Sequence, residues 1–214
     1  MKGTLFGSVH SSTHLHLIQQ SIEVGPAVPK TKLVDIPGGN GSVDLTDVGE
    51  STPYADRALK WTFALYPGDG WPQKRSEVSN AINGRRVQIT PDDESGWYYD
   101  GRVSVADHKS DRLIHQITVQ AVCSPYKRRT TVSTVTEDLT DVFMDITCAI
   151  GQMPLVPKIT VEQDTVIAWG AYTMAVSAGT HLLPELFMSG TQVIQAKATE
   201  GAGTITLTWR EGSL

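Results

Sequence analysis

The sequence has 214 residues, 40% hydrophobic and 19% charged, which excludes a disordered or fibrous chain and provides for one large domain or two small ones. Its 18 Lys and Arg against 23 Asp and Glu leave a net charge of -5, the wrong sign for a protein that grips nucleic acid by its phosphates. No apolar run approaches the roughly 20 residues that cross a bilayer, the first ten residues lack the apolar stretch of a secretory leader, and Cys123 and Cys148 alone cannot make a disulfide scaffold. Two buried thiols in a reducing cytoplasm are expected instead.

In chain order, the histidines His10, His14 and His16 come first. Next, Gly25 to Gly41 gathers three prolines and four glycines around a short apolar patch, Leu33 to Ile36. This stretch continues through polar Ser42 to Thr52, and a connection of that length inside a domain points to function or to a bound partner. Within it, Pro37-Gly38-Gly39-Asn40-Gly41 looks like a phosphate-cradling loop. The following Ser42 to Asp47 reads as extended or turn structure, so no helix N-terminus is there to aim amides at an anion. The glycines are expected to serve a bend that needs positive φ.

Regular alternation begins at Ala58 to Tyr66, where Leu59, Trp61, Phe63 and Leu65 share one face. After the turn Pro67 to Gly70, the spacing predicts one helix over 72–83, with Val78, Ala81 and Ile82 on its apolar side, Pro72 in its first turn and Gly84 as a left-handed cap. Strands follow at Arg86 to Thr90, Trp97 to Val105 and Arg112 to Cys123. Between the first two lies the acidic turn Pro91 to Gly96. The two prolines of Gly151 to Pro157 predict a domain boundary, dividing the chain into 1–150 and 151–214. The second part reads as all-β, with strands near Ile159, Val166, Tyr172, Val193 and Ile205. Its last strand alternates Ile205, Leu207 and Trp209 with threonines, a pattern that favours extended backbone. One helix among many strands predicts a mainly β chain, with a sandwich-like first domain and a small β-sandwich after it.

The chemistry-bearing residues do not assemble into a catalytic set. The three histidines lack a nearby cysteine, and no carboxylate precedes Glu23, so no metal site is expected. Asp92, Asp93 and Glu94 are consecutive, whereas glycoside hydrolysis needs two carboxyls facing each other across a cleft. A solvated turn is the expectation. Lys127-Arg128-Arg129 reads as a charged strand end, and Trp97, Tyr98 and Tyr99 as core with one exposed ring. There is no Gly-x-Ser-x-Gly elbow, and Cys123 alternates with apolar residues. No enzyme and no cofactor are expected. A carbohydrate-binding module for host adhesion is the alternative, resting on exposed aromatics such as Trp169 or Tyr172.

More specific is an ordered series of segments. It runs Pro29-Lys30, Ile36 to Thr46, Tyr54-Ala55-Asp56-Arg57 and the strand through Trp61, then Ile82-Asn83-Gly84-Arg85 and Tyr98-Tyr99-Asp100-Gly101-Arg102-Val103. The end of the chain continues it, with Pro157 to Val161, Leu186 to Thr191 and Thr208-Trp209-Arg210-Glu211-Gly212-Ser213-Leu214. This order resembles the distal tail proteins (Dit) of long-tailed, non-contractile bacteriophages, especially those infecting Gram-positive hosts, over nearly the whole length. The resemblance implies a structural phage or prophage protein that forms a hexameric ring. The ring would meet the tail-tube protein on one face and a baseplate or tail-tip protein on the other. DNA would pass through its lumen without specific binding. It implies location in the virion tail after assembly in the bacterial cytoplasm, with no membrane involved. The stretch of about 25–52 would be a belt around the neighbouring subunit, with Pro37, Gly38, Gly41, Asp44, Leu45, Tyr54 and Arg57 at the subunit interface, and the C-terminal sandwich would be galectin-like.

Overall fold

The computed structural model describes residues 2–46, 52–65, 70–110 and 114–214. Residues 47–51 of the expected belt, the turn residues 67–69 and the start of the strand expected from Arg112 lie outside that description. The chain forms two compact units, one reaching Lys127 and the other spanning Arg128–Ser213.

The first unit contains Thr4–Phe6 (β1), Val9–His10 (β2), Ile18–Val24 (β3), Leu33–Asp35 (β4), Ser42–Asp44 (β5) and Arg57–Leu65 (β6). These are followed by the helix Trp71–Ile82 (α1), then Arg86–Pro91 (β7), Trp97–Ser110 (β8) and His115–Cys123 (β9). Seven strands make an antiparallel sheet in the order β2-β1-β7-β8-β9-β6-β3. The alternation expected in β6 is realised: Leu59, Trp61 and Phe63 are fully buried, and Lys60 and Thr62 face outward. Three strands lie between β1 and β6 in this order, so a flat sheet would hold them on the order of 19 Å apart. Yet the Phe6 and Trp61 rings meet edge to face at 5.1 Å. The Thr4 hydroxyl also donates to the Gln19 side chain at 2.7 Å, tying β1 to β3. The sheet is therefore curled over its own core, and the sandwich-like layering comes from one sheet facing itself.

The helix matches the spacing to within a residue. Val78 and Ile82 are buried, and Gly84 follows with φ 75°, the left-handed conformation that glycine adopts without steric cost. Its amide donates to the Val103 carbonyl at 2.8 Å, and the Asn83 side-chain oxygen accepts from Val105 N–H at 2.9 Å. The end of α1 is thereby clamped to β8.

Lys127–Arg129 (β10) leads into the second unit, which contains Ser133–Leu139 (β11), Met144–Leu155 (β12), Lys158–Val161 (β13), Thr165–Trp169 (β14) and Tyr172–Val176 (β15). Gly179–Leu182 (β16), Met188–Ala198 (β17), Gly203–Trp209 (β18) and Gly212–Ser213 (β19) complete it. Two four-stranded sheets, β11-β18-β13-β16 and β12-β17-β14-β15, enclose a common core. The division at 150/151 expected from the sequence is corrected here: β12 runs straight through Gly151. The glycine and Pro154 are absorbed as irregularities in the pairing with β17, between Ala149 and Gly151 and again before Leu155, and do not form a linker. Two strands placed by sequence in the first domain, β11 and β12, supply half of the sandwich edges through pairing with β18 and β17.

Candidate functional site

The long Gly- and Pro-rich connection is an arm built on a two-stranded hairpin. β4 and β5 pair antiparallel in the register Leu33↔Asp44, Val34↔Val43 and Asp35↔Ser42. Pro37 and Gly38 occupy the centre of the turn, Gly38 has φ 74°, and the Gly39 amide donates to the Ile36 carbonyl at 3.0 Å. A turn with proline second and a positive-φ residue third is type II, which explains both residue types. At the root, the Lys30 amide donates to the Pro53 carbonyl at 2.7 Å, and the Ala55 amide to the Val28 carbonyl at 2.8 Å. The Leu45 amide bonds the Lys32 carbonyl at 2.8 Å, continuing the ladder toward that root.

Paired residues of an antiparallel ribbon lie on the same face. One face therefore carries Val34, Ile36, Val43 and Leu45, all between 38% and 50% exposed. The other carries Leu33, Asp35, Ser42 and Asp44. The Ser42 hydroxyl donates to Asp35 Oδ1 at 2.7 Å. Asp44 Oδ1 accepts from the Thr46 hydroxyl and from the Thr46 amide at 2.9 Å, and these bonds hold the Asp44 carboxyl below the usual carboxylate range. The arm thus has an apolar face and an acidic face. A ribbon of two strands cannot bury an apolar stripe by itself, and an isolated hairpin is marginal in water.

Of the residues expected at the interface, Pro37, Gly38, Gly41, Asp44 and Leu45 come together on this arm. Tyr54 sits at its root, bridged to Pro29 and edge-on to the Tyr126 ring at 5.9 Å. Arg57 stands apart: it is 6% exposed on the core side of β6, with its guanidinium 5.9 Å from the Tyr99 ring centre. Val34 and Ile36 belong to the apolar patch read from the sequence, but neither they nor Val43 were among the residues expected at the interface. Their signal was present, as period-two alternation on both sides of a Pro-Gly turn.

The other sequence candidates have local roles. His10 donates its amide to His14 Nδ1 at 2.8 Å, and its Nε2 lies 3.1 Å from Asp92. Asp92 also accepts the Gly3 amide at 2.7 Å. Burial pushes the Asp92 carboxyl up, but the His10 ring and the Gly3 amide outweigh it and leave Asp92 below its ordinary value. Asp93 pairs with Lys2 at 2.5 Å, and Glu94 accepts from the Tyr99 hydroxyl at 3.0 Å and from Lys127 at 3.3 Å. The acidic turn is exposed, as expected, and its carboxylates also serve as a clasp for the N-terminal strand and for Tyr99. Burial, with the Glu94 carboxylate next, pushes the Tyr99 hydroxyl up to about 12. Cys123 is likewise pushed up to about 12, chiefly by burial, and Cys148 upward by burial. Trp169 and Tyr172 stack at 5.8 Å, but Trp169 shares the inward face of β14 with Ile167, packs on the core and donates to the Glu185 carbonyl at 3.3 Å.

No family model and no curated protein matches the sequence. Among solved structures, the crystal structure of SPP1 Dit (gp 19.1), described as a paradigm of the hub adsorption apparatus in Gram-positive infecting phages, matches with a TM-score of 0.67 and 20% identity, over 100% of each chain. The chain has the distal tail protein fold. Within this Dit fold, the segments that carried the resemblance have physical tasks. Gly101 lies so close to β9 that a Cβ there would collide with the Cys123 sulfur and stand 2.6 Å from the Val122 carbonyl oxygen. Asn83 and Gly84 fasten α1 to β8. Near the C-terminus, Glu211 accepts from Arg129 Nε at 3.1 Å, and the backbone at Gly212 passes so close that a Cβ would lie 2.7 Å from that of Met153.

Proposed function

We propose that this chain is a non-enzymatic tail-hub protein of a phage or prophage. Six copies assemble head to tail into a closed ring that joins the tail tube to the baseplate or tail tip, within the virion tail. The observation that carries this reading is the hairpin arm of β4 and β5, whose apolar stripe stays exposed among the described residues. In a head-to-tail ring each copy uses two different patches, so an arm on one copy can be covered by the body of the next. The likeness of the complete fold to a hub protein of an adsorption apparatus supports the same reading. The acidic balance of the chain suits a lumen through which DNA slides, since like charge removes the phosphate attraction. Glycan adhesion through Trp169 and Tyr172 has less support, because Trp169 is committed to the sandwich core. Light scattering and negative-stain microscopy of the full chain test the proposal. Six-fold rings are expected for the native chain and monomers for a chain whose arm is replaced by a short linker. A native chain that stays monomeric at the highest attainable concentration overturns it.

A further inference from the structure

The chain has three asparagines, and two of them, Asn40 and Asn83, stand directly before a glycine. In such a pair the side-chain amide carbon lies within reach of the next backbone nitrogen. The two can close a five-membered ring, and glycine has no Cβ to obstruct the approach. Closure then depends on whether the fold leaves both groups free to meet. Exposure does not separate the two sites, since Asn40, Gly41, Asn83 and Gly84 all face solvent. Hydrogen bonding does.

At Asn83 and Gly84 both reacting groups are held. The Asn83 side-chain oxygen accepts from Val105 N–H at 2.9 Å, and the Gly84 amide, which would be the nucleophile, donates to the Val103 carbonyl at 2.8 Å. Arg102 adds a bond to the Gly84 carbonyl at 2.7 Å. Cyclisation there requires the end of α1 to come away from β8. Asn40 and Gly41 lie instead at the turn of the arm, just outside the β4–β5 pairing, which ends at Asp35↔Ser42. Among the described residues, neither the Asn40 side chain nor the Gly41 amide has a hydrogen-bond partner. Gly41 has φ 80°, with open space on the side where a Cβ would stand. A two-stranded ribbon opens locally at little cost, so this backbone can turn into the geometry of attack.

We propose that Asn40 is a site of spontaneous covalent modification, converting to aspartyl and isoaspartyl forms on the free arm while Asn83 is spared. The Gly41 nitrogen loses its proton to solvent base and bonds to Asn40 Cγ. The bond from Cγ to the side-chain nitrogen breaks, ammonia leaves with the returned proton, and a succinimide remains. Water then opens the ring at one carbonyl or the other. One opening leaves an ordinary aspartyl residue, and the other routes the main chain through the former side chain. The first adds a carboxylate to an arm that already carries Asp35 and Asp44, and the second inserts a methylene into the turn between β4 and β5. The inference stands on the arm's own geometry and does not depend on the ring.

The test holds the full chain at neutral and at mildly alkaline pH, folded and in urea, and follows both asparagines by tandem mass spectrometry with enzymatic methylation of isoaspartate. In the folded protein, conversion at Asn40 is expected to outpace that at Asn83 on the order of tenfold or more. In urea the two sites should react at similar rates. Because the attacking nitrogen must be deprotonated, a unit rise in pH should quicken conversion about tenfold. Asn40→Gln, which would need a larger ring, should remove the signal. Equal conversion at the two sites in the folded protein overturns the proposal, as does an Asn40 that reacts in urea and stays intact when folded.

Discussion

Gly101 shows how one residue sets the spacing of the first unit. Its missing side chain lets β8 and β9 close over Cys123, and a methyl group would press on both the sulfur and the Val122 carbonyl. Overpacking against backbone is relieved only by moving a strand, so Gly101→Ala is expected to cost about 3 kcal/mol, read as a lower urea midpoint with unchanged slope. The two thiols are expected to be inert for a related reason. Burial holds Cys123 up to about 12 and moves Cys148 in the same direction, and the thiolate is the reactive form. Neither should be alkylated by iodoacetamide at neutral pH until denaturant is added, and rapid labelling of Cys123 in the folded protein would contradict its packing. Burial of Cys123 was legible in the alternation of its strand, and that of Cys148 was expected only from the scarcity of cysteines. The place of Arg57 was not: a cation on the core side of a strand breaks the pattern, and its contact with Tyr99 comes from a distant strand.

Among the elements, the N-terminal strand depends on a carboxylate from far along the chain. Asp92 holds the Gly3 amide and the His10 ring, and its folded pKa is depressed. A depressed acid contributes stability above its unfolded value, near 3.9 for aspartate, and that contribution is lost as pH falls through the folded value. Protection of β1 amides, taken as exchange relative to the unfolded-chain rate at the same pH, should therefore fall below about pH 4 in the native protein, while Asp92→Asn should show lower protection already at neutral pH and little further change in acid. No sequence window could show this clasp, because its partners are 89 and 82 residues apart. The arm was half legible. Its composition marked it as unfinished, but strands of three residues broken by proline and glycine fall below the length at which alternation is persuasive. Since none of the arm's described residues belongs to the buried cores, replacing 30–53 with a short linker should leave the thermal midpoint of the body within a degree or two, equivalent to roughly 0.5 kcal/mol. A large drop would mean that the arm supports its own body.

At the scale of the whole chain, strand character was legible almost everywhere because one wet and one buried face impose period two on the residues. Domain membership was not, because no glycine or proline marks the residues Lys127 to Thr131 where the chain crosses into the second unit. β11 belongs there only through a register that joins Ser133 to Trp209, and β12 through one that joins Met144 to Ala196. A pair of prolines near Gly151 mimics a boundary, while the true division beside Lys127 carries charged residues and no glycine or proline in its immediate neighbours Lys127 to Thr131. The two divisions predict different fragments. A chain of 128–214 retains both sheets and should fold cooperatively. A chain of 151–214 loses Leu139, Ile146, Cys148 and Ile150, each no more than 1% exposed, and leaves the inner faces of β17 and β18 open. Burial of each such side chain is worth about 1.5–3 kcal/mol, so the loss of four is comparable with the roughly 5–15 kcal/mol that hold an entire domain together. The longer fragment should show a sharp thermal transition and dispersed amide resonances, and the shorter one neither. A cooperative transition in the shorter fragment would return the boundary to Gly151.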